Sequence, residues 1–212
     1  MAASAGYLAT VHVTGTATTM TGEAMSGAGV TYTIASADRR IVDPASAITI
    51  KIGGAAQATS TYSFDYLTGT VTLSGAPGAA VTIDGKFLPK RQIAQAYEVD
   101  VSVSRNLADS SLLGTSHNLR TSTLGDISGS FSCYDSGLNV YTDVDLAQIL
   151  VDGTSKVVDI DWNGTNFLRF FAKLESVEGS GSVDGVQTAT ASFSMDSQTA
   201  LTTGVEVDFS IV

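Results

Sequence analysis

Residues Tyr97–Ser104 read YEVDVSVS, and the pattern of this stretch indicates the kind of fold that the chain adopts. Four apolar side chains alternate in it with four polar ones, and two of the polar ones are the carboxylates of Glu98 and Asp100. Successive side chains of a β-strand point to opposite faces. The stretch therefore predicts a strand with one apolar face and one acidic face.

The same alternation recurs twice further along the chain, in Val157–Trp162 and in Val205–Val212. The acidic positions of these two stretches are Asp159, Asp161, Glu206 and Asp208. Each stretch predicts a strand that buries its apolar face and presents carboxylates to solvent. We therefore expect an extended acidic β-surface, and the purpose of that surface is the main question that the sequence raises.

Length and composition favour one large β-domain. The chain has 212 residues, of which 43% are hydrophobic and only 15% charged, with 21 glycines and 3 prolines. Many small polar residues and few charges are typical of short strands and tight turns rather than of helical bundles. We expect a single domain over residues 1–212, in which 28–90 either joins the same sandwich or forms an extended β lobe or insertion.

The charge balance excludes several classes of partner. The formal net charge is −10, from 21 acidic and 11 basic residues, and such a surface repels nucleic acid and anionic membranes.

Residues 1–10 contain no charged segment followed by an apolar run, so we expect no secretory signal. No stretch approaches the ~18 apolar residues of a membrane span. A single cysteine, Cys133, cannot form an internal disulfide.

Apolar periodicity predicts a mainly β fold, a β-sandwich or partial barrel with one short flanking helix. The predicted strands are 7–16, 30–35, 47–52, 61–67, 70–74, 80–87, 97–104, 127–134, 157–162, 165–174, 187–195 and 205–212. The helix is expected over about 142–152, with Thr142 or Asp143 as its N-cap and Gly153 after its last turn. Strand 165–174 is apolar on both faces apart from Arg169 and Lys173, which predicts a central strand covered on both sides.

Two stretches are expected to interrupt the strands. Gly22–Gly29 is rich in glycine and breaks the alternation. Asn106–Asp126 shows no clear period over about twenty residues and predicts a long loop, and loops of that length are usually functional or ordered by a partner.

No constellation of residues predicts catalysis, cofactor binding or a metal site. Asp159-x-Asp161-x-Asn163 begins like an EF-hand loop, but the position of the bidentate glutamate is Phe170, and a strand that ends in an Asn-Gly hairpin explains the same residues. Acid–base catalysis needs carboxylates in an apolar pocket, whereas these alternate along open strands. We expect a protein that is not an enzyme, and an ordinary solvated acidic face is the main alternative to any more specific function.

Several stretches resemble the major tail tube proteins of long-tailed, non-contractile bacteriophages. They are YLATVHVTGTATTMTGEAMS (7–26), VTYTIASADRRIVDPASAITI (30–50), YSFDYLTGTVTL (62–73), VTIDGKFLP (81–89), the strand 97–104 with the loop after it and LGDISGSFSCYDSG (124–137), and GSGSVDGVQTATASFSM (179–195). The resemblance covers most of the chain and is specific as an ordered set. The loop departs from the family in reading SSLLGTS at 110–116.

The resemblance implies a structural virion protein that forms hexameric rings, which stack into a hollow tail tube. Each subunit would contribute about four strands to an inner barrel of about 24 strands, wide enough for an aqueous channel that conducts viral DNA without binding it. Candidates for the channel lining are Glu98, Asp100, Asp159, Asp161, Glu206 and Asp208, and we expect at least two of the three acidic strands to face the channel. Candidates for contacts between subunits or rings are Leu112, Leu113, His117, Arg120 and Leu124 in the long loop.

The partners implied by the resemblance are further copies of the chain and the tail terminator, tape measure and distal tail proteins. Viral DNA would pass through the tube without specific binding, and no membrane, cofactor or metal is expected. The location would be the virion tail, after assembly in the host cytoplasm. Alternatives are another phage structural protein, such as a head decoration or baseplate component, or a β-sandwich binding module.

Overall fold

The computed structural model describes residues 9–109, 120–134, 144–162, 167–180, 188–196 and 207–210. In these residues the fold is mainly β, as the periodicity predicts. The strands are β1 (Ala9–Thr14), β2 (Thr18–Ala28), β3 (Thr31–Ile34), β4 (Thr49–Ile52), β5 (Ala55–Ala56), β6 (Tyr62–Asp65), β7 (Thr70–Leu73), β8 (Val81–Phe87), β9 (Lys90–Asp109), β10 (Arg120–Tyr134), β11 (Lys156–Asp161), β12 (Phe167–Ser180), β13 (Thr188–Met195) and β14 (Val207–Ser210). Two 3₁₀ turns, Ala37–Arg39 and Thr59–Thr61, and one helix, α1 (Leu146–Asp152), complete the elements.

The first sheet closes on itself and forms a barrel. Its strand order is β11-β1-β9-β10-β13-β12-β14, and β11 also pairs with β12, so that six of the strands form an uninterrupted antiparallel circuit. Strands β9 and β12 belong to both sides of the barrel. β9 pairs with β1 through Lys90–Ala96 and then with β10, and β12 pairs with β11 through Phe167–Ala172 and then with β13. The barrel is thus flattened into two layers that share β9 and β12.

The barrel core consists of aromatic and branched side chains from both layers. Phe131, Phe170 and Phe193 are almost fully buried and pack together, with ring centroids 5.7 Å apart for Phe170 and Phe193 and 6.5 Å apart for Phe131 and Phe193. Val11 and Ile160, from β1 and β11, close the other layer. Burial of these side chains is the main stabilising contribution, since each large apolar side chain contributes about 1.5–3 kcal/mol.

Residues Thr18–Phe87 form a second sheet with a core of its own. The strand order is β5-β4-β8-β2-β3-β7-β6, and the core includes Met20, Ile34, Ile50 and Ile83. We call this part of the molecule the outer lobe. It follows β1 and precedes β9 in the chain, so it is inserted between two neighbouring strands of the barrel.

Gly22 lies inside a strand rather than in a break between strands. β2 runs unbroken from Thr18 to Ala28, which corrects the expectation that Gly22–Gly29 interrupts the pattern. The alternation is lost because β2 has a bulge between Met20 and Glu23, and it then changes partner from β8 to β3 after Ala24. Gly22 adopts φ 63° at this bulge, and its amide donates to Asp84 Oδ1 at 2.7 Å.

The hairpin of β9 and β10 replaces most of the predicted loop. The two strands stay paired from Asp109 and Arg120 down to the barrel, with a register shift between Ser122 and Gly125, so the expectation of a loop over Asn106–Asp126 is wrong for residues 106–109 and 120–126. Arg120 and Leu124 therefore lie in a strand, whereas Leu112, Leu113 and His117 fall outside the described residues. Val103 is 69% exposed, although the alternation along β9 places its side chain on the side of the strand that faces the core. The hairpin leaves the core near Val103, and without a buried face nothing selects an alternating sequence.

The helix begins later than the sequence predicts. α1 spans Leu146–Asp152, and the carboxylate of Asp145, rather than Thr142 or Asp143, caps it by accepting hydrogen bonds from the amides of Ala147 and Gln148 at 3.0 and 3.1 Å. Gly153, with φ 59°, ends the helix as predicted. Leu146 and Ile149 anchor α1 on the barrel core.

Candidate functional surface

One layer of the barrel presents a polar face to solvent. The layer consists of Glu98–Ser104 of β9, Asp126–Ser132 of β10, Thr188–Ser194 of β13 and Lys173–Ser180 of β12. Along each strand the side chains that do not enter the core are hydroxyls or charged groups, because the alternating positions are occupied by core residues such as Phe131 and Phe193. We call this surface the hydroxyl face.

The register of the strands arranges these groups in rows. One row is Asp100–Ser130–Ser192–Ser176, and the next is Glu98–Ser132–Thr190–Glu178. Neighbouring hydroxyls bond to each other, with 2.7 Å between the Oγ atoms of Ser176 and Ser192 and 3.1 Å between Ser132 Oγ and Thr190 Oγ1. The two central strands of the face thus carry mainly hydroxyls, and two pairs of hydroxyls bond to each other.

Charge on the hydroxyl face is almost entirely negative. Its exposed carboxylates are Glu98, Asp100, Asp126, Glu175 and Glu178. Lys173 lies beside them, and its ammonium is 3.6 Å from the buried carboxylate of Asp196. Because Asp196 neutralises this cation, the described side chains of the face leave a net negative surface.

Both outer edges of this layer are open within the described part of the chain. β9 pairs with β1 only as far as Ala96, and β12 pairs with β11 only from Phe167 to Ala172. The edges Glu98–Asp109 and Lys173–Ser180 consequently have no described strand beside them. Open edges of this length can pair with another chain, and monomeric proteins usually block them.

Gly129 fixes the packing directly beneath the hydroxyl face. A Cβ at this position would lie 2.8 Å from Phe193 Cζ and 2.3 Å from the carbonyl oxygen of Asp100. Only glycine lets the Phe193 ring, which is 0% exposed, lie against β10. The face is therefore supported by a tightly packed core.

Asp159 lies in a different environment from Glu98 and Asp100. It is 3% exposed, and its Oδ2 is 3.0 Å from Arg169 Nη2, 3.2 Å from Arg169 Nε and 3.2 Å from Lys90 Nζ. This corrects the expectation that Asp159 belongs to an open acidic surface. The carboxylate is a buried structural partner of two cations, and a buried charge needs such partners.

The outer lobe explains this burial. Ile41 and Leu67 of the lobe pack on Val157 and Phe171 of the barrel, and they cover the side of β11 and β12 that faces away from the barrel core. Arg169 joins the two parts, because its Nη1 donates to the carbonyl oxygen of Leu67 at 3.1 Å. As predicted, β12 is covered on both sides here, and its arginine is the partner of an acidic residue on the neighbouring strand.

The remaining predicted lining residues are distributed as follows. Glu98 and Asp100 lie together on the hydroxyl face, and Asp161 is half-buried on β11 beside Asp159. Asp208 lies on β14, opposite Arg169 of β12, and Glu206 falls outside the described residues. The structure thus places the carboxylates of β9 and the carboxylates of β11 on different surfaces.

His12 lies next to the buried cluster, opposite Asp159 on the neighbouring strand. Burial lowers the pKa of the His12 imidazole below its usual value of 6.5, and the nearby Asp159 carboxylate opposes that shift. The imidazole Nδ1 is buried and has no hydrogen-bond partner among the described residues. The neutral form of His12 is therefore favoured in the folded protein.

A cleft of about 420 Å³ lies where the outer lobe meets the barrel. Its floor is apolar, with Leu88, Val157 and Phe171, and Ser155 and Asp43 lie at its wall. The carboxylate of Asp43 bonds to Ser46 Oγ and to the Ala45 amide of its own turn. Asp43 is therefore engaged within its own turn, and these hydrogen bonds do not pair it with Ser155 at the wall of the cleft.

The described residues contain neither a group of metal-binding side chains nor a membrane-spanning helix. No three side chains of the types His, Cys, Asp and Glu are grouped as they would be around a metal ion in the part of the chain that the structure describes. No helix in the same residues is long and apolar enough to cross a membrane.

Sequence reasoning missed half of the hydroxyl face. It identified Glu98 and Asp100 but not the hydroxyls of β10 and β13 or the carboxylates Glu175 and Glu178. The available signal was the alternation of serine with core residues in ISGSFS (127–132) and ATASFS (189–194). Strand pairing was needed to show that these residues lie beside the acidic strand.

Comparison with solved structures gives several structural likenesses. No family model and no curated protein matches the chain. A chain in the tail of an empty gene transfer agent particle, refined with C6 helical symmetry, is similar at 14% identity with a TM-score of 0.43, over 58% of this chain and 87% of that one. A chain in the virion of a native gene transfer agent particle is similar at 15% identity with a TM-score of 0.45, over 57% of this chain and 89% of that one.

Proposed function

We propose that this chain is a structural subunit of the tail tube of a phage-type particle. Copies join through their open edges into hexameric rings, the rings stack into a hollow tube, and the hydroxyl face lines the channel through which DNA passes. The observation that carries this proposal is the hydroxyl face itself, a polar four-stranded layer between two open strand edges. The resemblance of the sequence to tail tube proteins supports the same function.

The direction of the strands suits closure into a ring. Three antiparallel pairings separate β9 from β12 in this layer, so the two edge strands run in opposite directions. A copy related by rotation about the tube axis would bring its β12 beside β9 of its neighbour, again antiparallel. Such head-to-tail contacts close into a ring when the rotation closes. Four strands from each of six copies make a barrel of about 24 strands, which is wide enough for an aqueous channel.

The chemistry of the hydroxyl face suits a channel through which DNA slides. The hydroxyls of the face are uncharged and bond in part to one another, as Ser176 does to Ser192, so they attract a phosphate less than cations would. The exposed carboxylates repel phosphates, and Lys173 is paired with Asp196. A surface of this kind lets DNA pass without holding it.

The position of the outer lobe is compatible with this arrangement. The lobe packs on Val157 and Phe171, in the layer of the barrel opposite the hydroxyl face. With the hydroxyl face toward the channel, the lobe would lie on the outside of the tube, where it has space. The chain would then be a component of the virion.

Electron microscopy of the purified protein tests the assembly directly. We expect stacked rings or tubes with six-fold symmetry and with Glu98 and Asp100 directed into the channel. Monomers or trimers at every concentration would favour a head decoration or baseplate component instead. Rings in which both carboxylates face outward would contradict the proposed lining.

Cysteine labelling tests which face lines the channel. Ser102 on the hydroxyl face and Thr72 on the outer lobe are both exposed in the single chain. In a Cys133→Ala background, Ser102→Cys and Thr72→Cys should react equally with a bulky maleimide before assembly. After assembly only the lobe variant should react, and equal labelling of both variants in intact tubes would count against the proposal.

A further inference from the structure

Both open edges of the hydroxyl-face layer carry exposed carboxylates. Glu98 and Asp100 lie on the β9 edge, and Glu175 and Glu178 lie on the β12 edge. We propose that repulsion between these two edges holds free copies of the chain apart and makes ring closure depend on ionic strength. This inference rests on the proposed edge-to-edge assembly.

Within Glu98–Ser104 and Lys173–Ser180, the side chains that the structure describes do not compensate this repulsion with free charges of opposite sign. Lys173, at the start of the β12 edge, already pairs with Asp196 of its own chain. The hydroxyls between the carboxylates, such as Ser102 and Ser176, are neutral. Two copies that approach edge to edge therefore bring like charges together.

The distances within a sheet make this repulsion strong. Neighbouring strands lie about 4.8 Å apart, and residues opposite each other have Cβ atoms about 5 Å apart. An antiparallel alignment that pairs Glu98–Ser104 along its length with Lys173–Ser180 places Glu178 opposite or next to the Glu98–Asp100 segment. These separations are shorter than the Debye length of about 8 Å at physiological salt, so the carboxylates repel each other there.

The physical role is that of a gate on assembly. Like charges directly opposite each other destabilise a strand pair, and charged edge residues are a common means of preventing uncontrolled edge pairing. The open edges can then stay exposed in the free chain without immediate polymerisation. Screening by salt, or attachment to an assembly that already offers a matching edge, would shift the balance toward the ring.

Matched variants test the gate. Glu98→Gln/Glu178→Gln removes one charge from each edge, and Glu23→Gln/Asp38→Asn removes two charges from the outer lobe, which packs on the opposite layer of the barrel. Assembly is followed by sedimentation and negative-stain imaging from about 0.01 M to about 1 M sodium chloride, over which the Debye length falls from about 30 Å to about 3 Å. We expect the wild type and the control variant to assemble more readily as salt rises. The edge variant should assemble at low salt at a protein concentration at least about tenfold lower.

A charge reversal gives the sharpest readout. Glu178→Lys replaces the carboxylate that faces the Glu98–Asp100 segment by a cation, so attraction replaces repulsion at that contact; this variant should assemble best at low salt and lose assembly as salt rises, which is the opposite slope from the wild type. Tubes that form with no salt dependence, or a Glu178→Lys variant with the wild-type slope, would overturn the gate and leave the tube intact. If no variant forms rings or tubes at any salt concentration, the proposed tube function itself is wrong.

Discussion

Strands β9 and β11 carry the same alternation of apolar and acidic residues, but their carboxylates lie in opposite environments. Glu98 and Asp100 on β9 are exposed on the hydroxyl face, whereas Asp159 on β11 is 3% exposed and bonded to Arg169. Val99 and Val101 of β9 pack against the same barrel core that contains Val158 and Ile160 of β11. The difference lies in what covers the second face of each strand.

The outer lobe is the cause of this difference. It packs Ile41 and Leu67 against the second face of β11 and β12, and it places a backbone carbonyl beside Arg169. The layer that contains β9 is left uncovered by the described residues on its second face. An alternating acidic strand therefore indicates a polar face, but whether that face meets solvent or a second layer depends on the rest of the fold.

The largest effect is expected from breaking the pair that distinguishes β11. Arg169→Met removes the guanidinium that lies 3.0 Å from Asp159 Oδ2 and leaves the buried carboxylate with Lys90 alone. We expect the free energy of unfolding to fall by about 3 kcal/mol or more, measured by urea denaturation. Arg39→Met is the matched control, because the pair of Arg39 with Glu23 lies at the surface and should contribute less than about 1 kcal/mol. Equal effects of the two substitutions would show that the Asp159 cluster is not a structural joint.

A smaller effect is expected beneath the hydroxyl face. Gly129→Ala places a methyl group 2.8 Å from the Phe193 ring, and relieving this overlap should cost about 1–3 kcal/mol of stability. Gly179→Ala is the control, since a Cβ there has no atom within 4 Å. Thermal denaturation of the two variants compares them directly. A Gly129→Ala variant as stable as the Gly179→Ala variant would mean that Phe193 does not pack against β10.

A pH-dependent effect is expected from His12, which lies on β1 opposite Asp159 of β11. Burial lowers the pKa of His12 in the folded state below 6.5, with Asp159, Asp161 and Lys90 as the charged groups that act on it. The unfolded chain then binds a proton at a higher pH than the folded chain does. His12 should therefore not affect the free energy of unfolding when the pH is above the pKa of the unfolded chain's imidazole, about 6.5. As the pH drops below that value, the free energy of unfolding should fall. Urea denaturation of the wild type and His12→Gln from about pH 8 to about pH 5 measures the difference, and a wild type that gains stability relative to the variant on acidification would contradict it.

The smallest effect is expected for the exposed carboxylate of β9. Asp100→Asn should change the free energy of unfolding by less than about 0.5 kcal/mol, because Asp100 lies exposed on the polar face. Asp159→Asn, the same substitution at the corresponding kind of position on β11, should lose stability on the scale of Arg169→Met. Urea denaturation of this pair tests the comparison of the two strands most directly, and similar losses would abolish the distinction between them.

Much of the fold and part of the candidate surface can be predicted from the sequence. Period-two alternation correctly indicates β1, β9 and β13, and the two-sided apolar pattern correctly indicates that β12 is covered on both sides. The predicted boundaries fail at Gly22, where a bulge hides a continuous strand, and beyond Val103, where a hairpin leaves the core. In both places the buried face that imposes a regular pattern is missing or shifted.

The sequence by itself determined that the chain is a β protein with acidic strand faces, because alternation along a strand is a local property that needs no knowledge of the partners. It also determined the negative charge, which argues against attraction to DNA. Only the tertiary structure decided which acidic face stays open. Strand pairing placed the serines of β10 and β13 beside Glu98 and Asp100, and the packing of a lobe from a distant part of the chain buried Asp159. Contacts between residues far apart in sequence leave no periodic trace along either strand, so the two faces can be told apart only once the chain is folded.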